Sequence, residues 1–162
     1  MAGVTGVIEI KGDLLESNEP LLAHQCNCLT FGALGFAKAL FDKYPYSNIY
    51  HIHPRCPGEL YVAYPKATSG PIVVGMLAQF RPGRPTLTET AQNRIEWFGQ
   101  CLESLGIFMR DHKYTTVAMP LGIGCGLAGG NWEIYREMIN KFAYKYEVSV
   151  RLYLKEQVRG TK

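Results

Sequence analysis

The run LLAHQCNC at 21–28 constrains the fold more than any other stretch of this chain. It lies between Pro20 and Gly32, and its length and largely continuous apolar character suit a strand buried on both faces. Such a strand needs helices on each side of its sheet, and the rest of the chain supplies them in alternation. Residues 4–10 read as a strand stopped at Gly12-Asp13. In 36–44 the apolar residues at 36, 37, 39, 40, 41 and 44 form one helix face, ended by Pro45. Residues 60–64 and 72–80 read as strands joined by the turn-rich PKATSGP. Thr86 followed by Glu89 reads as a capping box for a helix running to Met109. A short strand at 117–119 leads into the glycine-rich PLGIGCGLAGGN. A helix at 132–145 comes next, with Asn131 as its N-cap, then a strand at 148–154 and a polar tail at 155–162. This alternation predicts an α/β fold with a largely parallel sheet between helix layers. In such sheets ligands bind beyond the carboxyl ends of the strands.

The chain has 162 residues, 47% hydrophobic and 19% charged. That matches an ordinary globular composition and one domain over 1–162. A formal net charge of +3 is no footprint of nucleic-acid binding. No basic region followed by a long apolar stretch opens the chain, and no run approaches the roughly 18 apolar residues of a membrane span. Five cysteines without a secretion signal fit reduced thiols in a cytoplasmic protein rather than a disulfide framework.

Three strand-to-loop turns carry the functional signal: KGDLL at 11–15, NCLTFGALG at 27–35 and MPLGIGCGLAGGNW at 119–132. The stretch 122–130 holds five glycines in nine residues and enters a helix directly. Glycine permits positive φ and close approach of a ligand to the main chain, and successive N–H groups beside a helix N-terminus attract phosphate. A flexible surface loop would seldom place Ile123, Cys125 and Leu127 between its glycines. The loop lacks the Gly-Lys-Ser/Thr of a Walker loop. With Leu127 in the third place it also misses the dinucleotide fingerprint, which argues against a Rossmann-type oxidoreductase.

Other residues admit two readings. Cys26-x-Cys28 could be half a zinc site, but His51, His53 and Cys56 offer no usual ligand spacing, so no metal is expected and buried thiols are the default. His24, inside an apolar strand, is either a core histidine or a general acid or base at the strand end. Asp13 suffices as an N-cap for the next segment, or accepts a hydrogen bond from an exocyclic amine. HIHPRCPG at 51–58 either touches a phosphate or, as its composition favours, forms a solvated loop.

Taken in order, IEIKGDLLE, AHQCNCLTFGALGFAKALFDKYP and AMPLGIGCGLAGGNW resemble the macrodomains, which bind ADP-ribose and its derivatives. The resemblance covers most of the chain. It implies a three-layer helix–sheet–helix sandwich with a mixed, largely parallel sheet, acting as a monomer without a cofactor. It also implies site roles. Asp13, with Leu14 beside it, would accept from the adenine amine, and Asn27 would contact the distal ribose. Ala33, Leu34, Gly35 and Phe36 would wrap the ribose and phosphate. Gly122, Ile123, Gly124, Cys125, Gly126 and Leu127 would cradle the diphosphate through backbone N–H groups. HQCNC and GCGLAGGNW are most similar to two branches, the ADP-ribose 1″-phosphate phosphatases and the glutamate- and nucleobase-linked ADP-ribosyl hydrolases.

The departures from those branches sharpen the expectation. The hydrolases' lysine falls at Gln79, which is no nucleophile of that kind. Their second-loop aspartate falls at Ala128 or Asn131, and the first-helix aspartate of a further hydrolase class falls at Ala37. The phosphatase branch has a histidine where this chain has His24. The resemblance therefore implies removal of the terminal phosphate of ADP-ribose 1″-phosphate, with His24 as acid–base and Asn27 positioning the ribose. The alternatives are a non-catalytic ADP-ribose binder and an ADP-ribosyl hydrolase with an unfamiliar catalyst. One geometric condition attaches to the catalytic pair. In a regular strand residues 24 and 27 face opposite ways, so both reach one site only if the strand bends or ends there.

Overall fold

A computed structural model describes residues 4–66 and 69–155. Tail residues 156–162 and part of the PKATSGP turn lie outside the described residues. Six strands form one sheet: β1 (Gly6–Lys11), β2 (Leu21–Asn27), β3 (Leu60–Ala63), β4 (Ile72–Gln79), β5 (Thr116–Pro120) and β6 (Ser149–Leu154). Their order is β1-β6-β5-β2-β4-β3. All neighbours pair in parallel except β3, which runs antiparallel to β4 at one edge. Helix α1 (Gly35–Lys43) covers one face; α2 (Ala91–His112) and α3 (Trp132–Tyr146) cover the other.

The apolar residues of β2 divide by parity. Leu21 and Ala23 join the core under α2 and α3, with Phe98, Leu105 and Ile139. Leu22 and Cys26 join the core under α1, with Leu40 and Phe41. The run at 21–28 is thus a strand buried on both faces, and β4 is divided in the same way. Full burial of side chains such as Leu21, Leu40 and Leu105 stabilises the sandwich by about 1.5–3 kcal/mol each.

Helix α2 departs from expectation at both ends. Thr86 and Glu89 form a closed turn before the helix, in which the Glu89 N–H donates to Thr86 Oγ1. The helix starts after Thr90, and Thr90 and Asn93 make the capping box. Glu89 is lost to capping because its carboxylate is drawn inward to Arg94. At the other end the helix passes Met109 and stops at Lys113, a left-handed residue (φ 61°) whose N–H returns to the Arg110 and Met109 carbonyls. Asn131 caps α3 as the sequence suggests, accepting from Glu133 N–H. Among the described residues no helix is long and apolar enough to cross a membrane.

Candidate ligand-binding site

Parallel pairing brings the carboxyl ends of β5, β2 and β4 to one side of the sheet, and a cavity of about 590 Å³ opens there. This volume falls within the range of ligand pockets, about 300–1,000 Å³. One wall is the turn after β2 with the start of α1, from Thr30 through Gly35, Phe36 and Ala37. The opposite wall is the glycine loop after β5, Gly122 to Ala128. Gln79, Pro82 and Gly83 close the end over β4, and His24, Gln25 and Asn27 form the floor.

The two walls offer the same chemistry. The N-cap of α1, Leu34, makes no side-chain cap, whereas Thr90 and Asn131 cap the other two helices. The first N–H groups of α1 are thus left to the cavity, together with the positive end of the helix dipole. Across from them, the glycine loop uses the N–H groups of Ile123 and Cys125 on Pro120 and Gly122 carbonyls. It leaves those of Gly122, Gly124, Gly126 and Leu127 without a partner among the described residues. Gly122 and Gly124 hold φ of 81° and 78°. A Cβ on Gly124 would lie 2.6 Å from the Tyr135 ring, so both conformation and packing require glycine there. The walls converge where the Leu127 side chain meets Gly35.

The floor meets the geometric condition for residues 24 and 27. The β2–β4 register shifts between Gln25 and Asn27, and β2 ends at Asn27, so His24 and Asn27 border one cavity. Asn27 is already committed to holding the turn. Its Oδ1 accepts from the N–H groups of Leu29 and Thr30 and from Thr30 Oγ1, at 3.0–3.1 Å. Its Nδ2 donates to the Tyr50 hydroxyl at 3.3 Å, leaving one amide hydrogen for a ligand. Burial raises the pKa of Tyr50, so its hydroxyl stays protonated.

His24 is only 2% exposed. Its ring stands edge-on to Phe36 and Phe41, and its polar neighbour is the Cys26 thiol, 3.5 Å from Nε2. Burial lowers its pKa to about 4, so the imidazole is neutral at neutral pH. Among the described residues, His24 and Tyr50 are the only titratable side chains that line the cavity. Of the positions where the resemblance puts a hydrolase lysine or aspartate, 79, 37 and 128 line the cavity, as Gln79, Ala37 and Ala128, whereas Asn131, the alternative to 128, does not and caps α3. The Gln79 amide is locked: Oε1 accepts from Gln25 Nε2 at 2.7 Å and Nε2 donates to the Arg81 carbonyl at 2.8 Å.

Asp13, Leu14, Ala33 and Cys125 are expected site residues that do not line the cavity. Asp13 comes after β1, two strands beyond β5. There it accepts from Leu15 N–H and pairs with Lys155 at 3.3 Å. Leu14 is in the core under α1, and Ala33 packs against that core. The Cys125 side chain packs toward the other core, and burial pushes its thiol up to about 11. The other expected residues are brought together around the cavity: His24, Asn27, Leu34, Gly35, Phe36, Gly122, Ile123, Gly124, Gly126 and Leu127. Cys26 and Cys28 are buried, and burial raises both thiols, Cys28 to about 12. Among the described residues no group of three or more His, Cys, Asp or Glu side chains could hold a metal ion.

The loop at 51–58 is mostly exposed, as expected, with His51, His53, Pro54 and Cys56 at the surface; Arg55 is the exception. It is buried and donates to the carbonyls of Asn27, Thr30, Tyr50 and Ile52 at 2.7–3.1 Å. Its charge is thus spent on fastening the turn after β2, not on a ligand. Arg94 does the same for the opposite wall. Paired with Glu89 at 2.7 Å, it donates to the carbonyls of Arg81, Gly83 and Ala128. Nothing in the sequence marks either arginine as internal. Gln25 could have been noticed as a polar residue near the carboxyl end of an apolar strand.

No protein-family model and no curated protein matches this sequence. Solved structures do match its fold. The macrodomain of Thermus aquaticus DarG superposes with a TM-score of 0.73 at 18% identity, covering 91% of this chain and 97% of that one. A Bacteroides thetaiotaomicron protein gives 0.75 at 23%, covering 93% and 99%. Thermosipho africanus DarTG, solved with ADP-ribose, gives 0.72 at 18%, covering 96% of this chain and 43% of that one. At these identities the likeness establishes the fold, which is that of the macrodomains.

Proposed function

We propose that this chain binds ADP-ribose or a close derivative in the cavity over β5, β2 and β4. The observation that carries the reading is the facing of two neutral anion-binding devices across one cavity. These are the uncapped N-terminus of α1 and the glycine loop with its unspent N–H groups. A diphosphate between them would accept from both walls without any cationic side chain in the slot. The ADP-ribose complex of Thermosipho africanus DarTG, which shares the fold, supports this choice of ligand. The adenine then extends along the strand ends toward Asp13, and the distal ribose toward Asn27, whose free amide hydrogen would meet a hydroxyl.

The reaction we assign is hydrolysis of the terminal phosphate of ADP-ribose 1″-phosphate. His24 enters as a neutral imidazole, so it would take a proton from the attacking water. It would return that proton to the ribose oxygen as the P–O bond breaks. The glycine-loop N–H groups would hold the charge on the phosphate oxygens. One observation favours a second reading, a non-catalytic binder: His24 is almost wholly buried between two phenyl rings.

Phosphate release from ADP-ribose 1″-phosphate, measured beside calorimetry with ADP-ribose, separates the two. The phosphatase reading expects release that falls at least about 100-fold in His24→Ala. An unchanged rate removes His24 from the mechanism. Tight ADP-ribose binding without release establishes the binder, and absence of ADP-ribose binding defeats both.

A further inference from the structure

The sequence FRPGRP at 80–85 places two arginines around a Pro-Gly turn immediately after β4. The turn is pinned rather than loose. Glu89 accepts from the N–H groups of Phe80 and Arg81, and Arg94 donates to the carbonyls of Arg81 and Gly83. Arg94 also holds the Ala128 carbonyl, so one guanidinium ties this turn to the glycine loop. Pro82 and Gly83 thereby become the end wall of the cavity, with Arg81 and Arg84 on either side of that wall in sequence.

Both arginines are exposed. Neither makes an ion pair among the described residues. The nearby Glu89 carboxylate is consumed by Arg94 and two backbone N–H groups, and no carboxylate among the described residues lines the cavity. Arg84 is exposed but passes close to the glycine loop. Its side chain lies against Gly129, where a Cβ would stand 3.1 Å from the guanidinium carbon. The absence of a side chain at 129 lets Arg84 rest across the outer end of the glycine loop. Two positive charges without ion-pair partners among the described residues therefore flank the end wall of a cavity whose own slot is neutral; neither side chain lines the cavity, the Arg81 guanidinium lying over the Phe80 ring and Arg84 against Gly129.

From this placement we infer a second anion subsite, formed by Arg81 and Arg84 at the β4 end of the cavity, that takes the terminal phosphate of the bound nucleotide sugar. The inference rests on the ADP-ribose reading above and adds its substrate preference. A phosphomonoester carries close to two negative charges and three acceptor oxygens at neutral pH. It suits the guanidinium fork better than the hydroxyl of unphosphorylated ADP-ribose does.

The test measures displacement of a fluorescent ADP-ribose by ADP-ribose and by ADP-ribose 1″-phosphate. The proteins compared are the wild type and Arg81→Gln/Arg84→Gln, with phosphate release followed in the same samples so that only intact ligand is counted. The wild type should prefer the phosphorylated ligand by about tenfold or more. The double variant should lose that preference while keeping its ADP-ribose affinity within about twofold. High salt should shrink the preference in the wild type. Equal affinity of the wild type for the two ligands, or a preference that survives in the variant, overturns the subsite and leaves the ADP-ribose reading standing. Failure of the wild type to bind ADP-ribose itself overturns both.

Discussion

The Glu89 carboxylate and the Arg94 guanidinium meet at 2.7 Å, both almost wholly buried, between the end of β4 and the glycine loop. Every remaining polar contact of the pair goes to backbone of those two segments. Removing one partner strands a buried charge. Glu89→Ala or Arg94→Met should therefore cost about 3–5 kcal/mol of stability, and the paired replacement less than the sum. Urea denaturation midpoints would show this; additive losses would mean the pair is not coupled.

Gly124 and Gly126 should respond differently to the same change. Alanine at 124 must hold φ near 78° and push against Tyr135, so Gly124→Ala should lose about 1–3 kcal/mol and at least about tenfold in ADP-ribose affinity. At Gly126 a Cβ meets nothing within 4 Å, and Gly126→Ala should stay within about 0.5 kcal/mol of wild type in stability. Equal losses at both positions in denaturation and calorimetry would contradict a selective need for glycine at 124.

His24 makes stability depend on pH. Its pKa falls from 6.5 to about 4 through burial, so between those values the unfolded chain binds the proton and the folded chain does not. Stability is then full above about pH 6.5 and declines as pH falls toward 4, by about 3 kcal/mol in all. Denaturation of wild type and His24→Gln at about pH 7 and about pH 4.5 should show a steeper acid loss in the wild type. Parallel losses would place the histidine in solvent.

Arg55 satisfies four carbonyls from two segments with one planar fork. Lysine keeps the charge but concentrates its donors on one atom, so Arg55→Lys should still cost about 2–4 kcal/mol. It should also increase hydrogen exchange at the Leu29 and Thr30 amides, which the same turn shelters. Wild-type stability in Arg55→Lys would show that charge alone suffices.

Much of the site was legible because strand ends and glycine loops leave local marks. The placement of Asn27, Gly35 and the 122–127 loop at strand ends follows from hydrophobic period and turn chemistry. The clamps were not legible. Arg55 and Arg94 look like surface arginines until distant carbonyls converge on them, and Thr86/Glu89 satisfies the capping-box pattern while a buried cation claims the carboxylate. The difference between His24 and Asp13 was hidden for the same reason. Both close or approach strand ends, yet His24 borders the cavity and Asp13 stands two strands beyond β5.

The sequence by itself determined the α/β sandwich, the doubly buried β2 and the neutral glycine-rich character of the loops, because these depend on near-neighbour patterns of apolar residues and backbone freedom. Only the tertiary structure decided which N–H groups remain unspent, that β2 and β4 shift register so that His24 and Asn27 share a floor, and that Gln79 is locked rather than reactive. Those outcomes depend on partners tens of residues away. Hydrogen-bond commitment and burial, which set what each polar group can still do, exist only once the chain has closed around it.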